Sequence, residues 1–358
     1  MEKIPITLLT GFLGSGKTTL LNALLKMPEL AHSAVLINEF GEIALDHHFI
    51  EVATDNMLVL DNGCICCTVR GELSSALRTL FWQRHDKKIP DFRRVIIETT
   101  GLADPLPIIH ELLEHPTILG HYCLAGVITC VDGVFGSDQL DRQSESLRQA
   151  AVADRLLITK SDLAAAGQMP NLTARLHALN PAAEIHFFAQ GNVDPQWVLD
   201  TATYDPFGKI TDVQKWLKAE TYRQVRVKPG LGLNRKAVLL ANDINRHDEH
   251  IHAFCVSFEQ PVAWLGLMSA LEMLCTLRGE NLLRVKGIVN VEGEDKPRVI
   301  HGVQHLFFPT TTLERWPEDK HETQLVFIVR DMDSQFIAQT LSNFVGVAKG
   351  TLDARVVH

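Results

Sequence analysis

No stretch of the chain approaches the roughly 18 uninterrupted apolar residues that a membrane-spanning helix needs, so no such helix is expected. Positive charge is not in excess either. Lys+Arg number 34 against Asp+Glu 43, a net charge of −9, which argues against a broad electrostatic grip on nucleic acid or anionic lipid. Any phosphate bound here has to be held by a local site. There is no internal repeat and no low-complexity tract, which excludes a solenoid or a disordered linker protein. The cysteines number 7, an odd count, and Cys64, Cys66 and Cys67 crowd together, a poor layout for a disulfide framework. A reducing compartment fits better. The opening Met-Glu-Lys and the short run Ile6–Leu9 lead into glycines and Lys17 with no small-residue cleavage site, so no signal peptide is expected. A soluble, cytoplasmic protein is the expectation. What is present is ordinary globular material: 358 residues, 46% hydrophobic and 22% charged, enough for two domains at a soft prior of about 150 residues each.

Residues 4–10, 34–38, 57–60, 94–98, 124–131, 155–159 and 184–188 are apolar, β-rich runs, each predicted to be a buried strand. Amphipathic stretches follow most of them, for instance Lys17–Lys26 and Arg70–Arg84. Strand and helix in alternation predict an α/β fold with a doubly wound, mostly parallel sheet over residues 1–200. Residues 201–247 carry Asp-Pro, Lys-Pro-Gly and Gly-Leu-Gly with scattered charge and are predicted to be a linker or a weakly defined subdomain. Residues 248–358 predict a smaller α+β domain, with a ferredoxin-like arrangement as the candidate: strand 252–258, helix 261–278 opened by Pro261, a strand pair 283–291 and 299–308 around Gly293-Glu294-Asp295, strand 324–329, and helix 334–344 capped by Asp333.

Gly11-Phe-Leu-Gly14-Ser15-Gly16-Lys17-Thr18 fits G-x-x-x-x-G-K-[ST] between an apolar strand and a helical stretch, the setting a phosphate-binding loop requires. Gly11, Gly14 and Gly16 let backbone N–H groups turn toward phosphate, with Ser15 and Thr19 completing the cradle. Lys17 would reach the β- and γ-phosphates, and Thr18 would supply an oxygen to Mg²⁺. A second magnesium-side carboxylate is expected at the end of a neighbouring strand, where Glu98 follows three β-branched residues; Gly101, three further on, is placed to sense the γ-phosphate. Thr159-Lys160-Ser161-Asp162 closes another apolar strand. The stem of Lys160 could lie along a base, and Asp162 could accept the paired N1 and N2 hydrogens of guanine, favouring GTP/GDP over adenine nucleotides.

Cys64-Ile-Cys66-Cys67 lies just after a predicted strand, behind an Asn-Gly turn that lets sulfurs converge. Thiolates are soft donors for Zn²⁺ or a similar ion, and three of them leave one corner of a tetrahedron open. Metal binding ranks ahead of two alternatives, a redox pair of Cys64 and Cys67 and simple packing. Glu39 and Glu42, in the loop after the second strand, are candidates for the open corner. They could face magnesium on one side and the thiols on the other, with Glu39 joining Lys17 and Glu98 in the catalytic set. Of the adjacent His47 and His48, at most one can point the same way in a strand. His247, His250 and His252 offer a weak loading site, although a solvated charged linker accounts for them as well.

Taken together, Gly11 to Thr19, Asn38-Glu-Phe-Gly41, Gly63-Cys-Ile-Cys-Cys67, Glu98-Thr-Thr-Gly101, Ala103-Asp-Pro105 and Thr159-Lys-Ser-Asp162 resemble the CobW-like P-loop GTPases, which include the zinc-regulated GTPase metalloprotein activators. Gly279 to Gly287 and His301-Gly-Val-Gln-His305 look like that family's C-terminal domain. The resemblance implies a GTP-hydrolysing metallochaperone that holds a metal, typically zinc, at Cys64, Cys66 and Cys67 and hands it to a client metalloprotein. Cobalt or iron is the alternative cargo. By the same resemblance Lys17 and Thr18 serve phosphate and magnesium, Glu98 the magnesium shell, and Lys160 and Asp162 guanine. The C-terminal domain is the expected docking site for the client. Ile37 stands where some relatives carry an acidic residue, which leaves switch-loop ligation to Glu42 or to the thiols alone; Thr159 replaces the asparagine of many GTPases, and the long histidine tract of some members is missing.

Overall fold

The computed structural model describes residues 3–30, 32–38, 58–62, 72–165, 167–189, 194–199, 223–227, 237–239, 251–317 and 321–345. The chain divides into two compact units, Met1–Gly208 and Lys209–His358.

In the first unit the seven predicted strands are β1 (Ile4–Gly11), β2 (Ser33–Asn38), β3 (Leu58–Asn62), β4 (Arg94–Glu98), β5 (Tyr122–Asp132), β6 (Arg155–Thr159) and β7 (Glu184–Phe188). They form one sheet in the order β3-β2-β4-β1-β5-β6-β7, and every ladder is parallel. Helices on both faces explain the unbroken apolar runs of the central strands, since a strand covered twice has no polar side. The helices are α1 (Lys17–Leu25), α2 (Glu72–His85), α3 (Leu106–Glu114), α4 (Pro116–His121), α5 (Gly136–Arg142), α6 (Ser144–Val152), α7 (Gln168–Leu179) and α8 (Pro195–Leu199). Leu20, Leu21, Leu24 and Leu25 of α1 are buried among Leu9, Val35, Ile37, Ile96, Ile128 and Leu157 from five strands. Each such leucine contributes about 1.5–3 kcal/mol, so the helix behind the glycine loop is firmly seated. Because β4 and β5 lie on opposite sides of β1, the sheet order reverses there, and the carboxyl ends of these strands frame the crevice where open α/β sheets bind ligands.

The second unit holds β8 (Arg223–Val227), β9 (Ala237–Leu239), β10 (Ile251–Phe258), α9 (Trp264–Arg278), β11 (Leu282–Val289), β12 (Arg298–Val303), β13 (Leu306–Phe307), β14 (Thr311–Thr312), β15 (Thr323–Arg330) and α10 (Ser334–Val345). Its sheet runs β13-β12-β11-β15-β10-β8-β9, with β14 on β12. β15 is antiparallel to both β10 and β11, so β10-α9-β11 is a split β-α-β unit, the central element of a ferredoxin-like arrangement. Phe254, Val256, Leu325 and Phe327 from the sheet and Leu267, Leu271, Leu274, Ile337 and Leu341 from the two helices make its core.

The second unit differs from the sequence expectation at three places. The helix begins at Trp264 rather than Pro261, because Val262 is held extended by backbone bonds to Asn290 and Glu292. The strand expected over 299–308 folds back as β12 and β13, pairing Val303 with Leu306 around Gln304 at φ 53°. Residues 223–227 and 237–239 form strands at the far edge of the sheet, within the segment expected as linker. Asp333 does cap α10, its Oδ1 accepting the Gln335 N–H at 2.9 Å.

Candidate nucleotide site

β1 ends at Gly11, where φ is 142° and a Cβ would overlap the carbonyl oxygen of Cys130 on the adjoining strand. Only glycine can turn the chain there. Gly14 and Gly16 follow at φ 72° and 83°, and Gly16 caps α1, so the loop delivers its backbone N–H groups to a helix N-terminus. Lys17 is buried and its Nζ donates to the carbonyls of Gly11 at 2.9 Å and Phe12 at 3.3 Å, curling over its own loop. Ser15 is fully buried, and its Oγ has no hydrogen-bond partner among the described residues. A cationic lysine and an unused hydroxyl beneath a glycine loop suit an anionic ligand. Thr19 is exposed on the first turn.

Glu98 ends β4, opposite Leu9 of β1 and Ile37 of β2. It is buried, and its Oε1 accepts the Thr18 hydroxyl at 2.9 Å. Strand end and helix start thus bring two hard oxygen donors together, the donor set Mg²⁺ prefers. Thr99 continues the ladder, its N–H bonded to Leu9 O at 2.9 Å and its hydroxyl donating to Thr10 Oγ1 at 2.8 Å. Gly101 then meets the phosphate loop so closely that a Cβ would lie 2.6 Å from the backbone of Leu13. Beneath the loop, burial pushes the Cys130 thiol up to about 12, with Lys17 opposing the shift and Glu98 adding to it. Cys130 is therefore a neutral packing thiol.

On the other side of β1, the Thr159 hydroxyl donates to Ser15 O at 2.7 Å and ties the end of β6 to the phosphate loop. Lys160 adopts φ 52°, and its Nζ donates to Asp132 Oδ2 at 2.7 Å. Asp132 is buried at the end of β5, where Oδ1 also accepts the N–H groups of Val134 at 2.8 Å and Phe135 at 3.0 Å. With the ammonium fixed, the aliphatic stem of Lys160 has a defined direction. Asp162 is exposed one turn on. Asp132 was not among the residues expected from sequence; its position at the carboxyl end of an apolar strand, directly before Gly133, is the signal that points to it.

Gly11, Gly14, Ser15, Gly16, Lys17, Thr18, Glu98, Gly101, Thr159 and Lys160 thus converge at the carboxyl edge of neighbouring strands. Glu39, Glu42, His47, His48, Cys64, Cys66, Cys67, His247 and His250 lie outside the described residues. His252 is in β10 of the second unit, its ring centroid 5.8 Å from that of Phe254. The strands that lead to the carboxylates and thiols are described: Asn38 and Asn62, the last residues of β2 and β3, are register partners. Among the described residues Cys123, Cys130, Cys255 and Cys275 form no disulfide, and no helix is long and apolar enough to cross a membrane.

The family model for the CobW/HypB/UreG nucleotide-binding domain matches residues 5–187, and that for the cobalamin synthesis protein cobW C-terminal domain matches residues 251–345. The chain belongs to the CobW/HypB/UreG family. It is 33% identical over 329 residues to the zinc chaperone YjiA of Escherichia coli, covering 92% of this chain and 94% of that protein. It is 25% identical over 371 residues to zinc-regulated GTPase metalloprotein activator 1 of Saccharomyces cerevisiae, covering 95% and 83%. The crystal structure of Zn(II)-bound YjiA GTPase from E. coli superposes with a TM-score of 0.72 at 27% identity, over 96% of this chain and 99% of that one. The CobW-type pairing of a parallel nucleotide-binding sheet with a second, largely antiparallel domain is therefore common to both.

Proposed function

We propose that this CobW-family GTPase is a metallochaperone that binds zinc through Cys64, Cys66 and Cys67 with Glu42, and releases it to a client metalloprotein in step with GTP hydrolysis. The observation that carries this is the order of strand ends. Strands lie about 4.8 Å apart in a sheet, so β4 with Glu98 is one spacing from the phosphate loop, β2 two and β3 three, roughly 14 Å in all. Glu39 and Glu42 follow β2 in sequence and the thiols follow β3, and Glu98, the magnesium-side carboxylate, ends the next strand, β4. A loop that responds to the γ-phosphate would then share a border with the metal ligands, which is the layout coupling requires. The zinc chaperone and metalloprotein activator names of relatives matched along most of their length support the same cargo.

The chemistry is hydrolysis by water at the γ-phosphorus, the P–O bond to GDP breaking as the new bond forms. Such reactions depend on positioning and charge neutralisation. Lys17 exchanges the Gly11 and Phe12 carbonyls for phosphate oxygens, while Thr159 steadies the Ser15 carbonyl. Thr18 and Glu98 would hold Mg²⁺, which when bound neutralises phosphate charge. Lys160 and Asp162 would select guanine. Client docking falls to the second domain, which carries none of these groups.

The test is zinc release to a chromophoric chelator during a single turnover of GTP. Release should follow the hydrolysis rate in the wild type and stop in Lys17→Ala and with a non-hydrolysable analogue. Release indifferent to nucleotide would refute the coupling, and one reversible disulfide between Cys64 and Cys67 in place of zinc binding would move the function to redox sensing.

A further inference from the structure

Helix α6 grips the segment after Glu98 at several points. Gln149 is fully buried, and its Nε2 donates to Gly101 O at 3.2 Å and to Ala103 O at 3.0 Å. Arg148, beside it, donates through Nη1 to Asp104 Oδ2 at 2.9 Å, while Asp104 Oδ1 accepts the Leu106 N–H at 3.1 Å at the start of α3. The helix is itself anchored. Its Gln149 carbonyl accepts the Thr129 hydroxyl of β5 at 2.8 Å, and Asn180 Nδ2 donates to the carbonyls of Ala150, Ala151 and Ala153 at 2.9, 3.1 and 2.9 Å. On its other side, Gly101 abuts the backbone of Leu13 in the phosphate loop. The segment 101–104 is therefore pinched between the phosphate loop and a fixed post.

Packing alone does not call for glutamine at 149. Its Oε1 is buried with no hydrogen-bond partner among the described residues, a penalty that an apolar side chain of equal length would avoid. The position needs the two N–H donors. We infer that Gln149, together with Arg148 acting through Asp104, is a positioning residue for GTP hydrolysis: it holds the Gly101 and Ala103 carbonyls so that the Gly101 turn stands in register with the phosphate loop and aligns the terminal phosphate. On this reading both side chains act through residues 101–104 and not by contact with nucleotide. The inference rests on the reading of residues 98–101 as the segment beside the γ-phosphate, and it predicts an effect on turnover that GDP binding does not share.

The test uses the full chain and three variants. Gln149→Met keeps the length and removes the donors, Arg148→Met removes the partly exposed arm, and Gly101→Ala strikes the segment itself. Steady-state GTP hydrolysis, GDP affinity and thermal unfolding are measured for each. Gln149→Met should lower kcat about tenfold and Arg148→Met about threefold, with GDP affinity held within about twofold. Wild-type kcat in Gln149→Met and Arg148→Met, with kcat lost in Gly101→Ala, would overturn the clamp and leave the segment's role standing. Unchanged kcat in Gly101→Ala would overturn that role and the clamp with it. A proportional loss of kcat and GDP affinity would mark a structural defect and also overturn it. If Gln149→Met does not fold, Arg148→Met decides by the same criteria.

Discussion

Replacing Asp132 by asparagine isolates one interaction of the base-side lysine. The introduced amide would keep an oxygen for the N–H groups of Val134 and Phe135, so the turn after β5 should persist, but its nitrogen would face Lys160 Nζ in place of the carboxylate at 2.7 Å. The carboxylate is 2% exposed and the lysine side chain 36%, which places the pair between a surface bridge at about 0.2–1 kcal/mol and a buried one whose disruption costs about 3–5. We expect about 1–3 kcal/mol of stability to be lost. GDP affinity should fall about tenfold, equivalent to about 1.4 kcal/mol, because the lysine stem is no longer held in one direction. Urea unfolding and GDP titration of wild type, Asp132→Asn, Lys160→Met and the double variant complete a cycle. The predicted coupling is about 1–2 kcal/mol in both readouts; additivity within about 0.5 kcal/mol would refute the ion pair as the element that orients Lys160. Asp132→Ala should cost about 1–2 kcal/mol more than the asparagine variant, since two backbone donors then lose their acceptor.

Thr159→Val, nearly isosteric, removes the donor to Ser15 O and should weaken GDP and a GTP analogue equally, by about fivefold at roughly 1 kcal/mol, as titration of both ligands would show. Leu271→Ala empties part of the second core and should cost about 2–5 kcal/mol in chemical unfolding while GTP turnover per folded molecule is retained. Cys130 has its thiol raised from 9.0 to about 12 by burial, so the stability that its neutral form contributes is complete below pH 9 and is lost as pH climbs from 9 toward 12. Tyr122, buried with its hydroxyl on Leu77 O, is raised as well and acts with the same sign at higher pH. Unfolding curves between pH 8 and 11 should show declining stability, with a shallower decline in Cys130→Ala; equal slopes would contradict the assignment.

Much of the first unit is legible from residues because a parallel sheet covered on both faces leaves an unmistakable trace. Val95-Ile96-Ile97 and Leu156-Leu157-Ile158 have no polar alternation, and all of these residues are buried. The phosphate loop was legible for a related reason: glycines at 11, 14 and 16 encode positive φ that no local context can replace. Less was readable where long-range pairing decides. Arg223–Val227 has only two apolar residues, Val225 and Val227, and Ala237–Leu239 is three residues long; the first forms on the edge that β10 offers and the second pairs with the first. Asp132 and Gln149 escaped notice because neither sits in a motif. One is defined by a lysine 28 residues away, the other by carbonyls 48 and 46 residues away, and side chain to backbone bonds of that kind leave no periodicity.

The central claim is that nucleotide state and metal affinity are coupled through the thiol loop. It is tested most directly by anaerobic zinc competition titration of the reduced protein, wild type against Cys66→Ser, each with GDP and with a non-hydrolysable GTP analogue. One tight site that needs Cys66 and changes affinity between the two nucleotides is the expected result. Weak binding, or binding indifferent to both the thiol and the nucleotide, would contradict it.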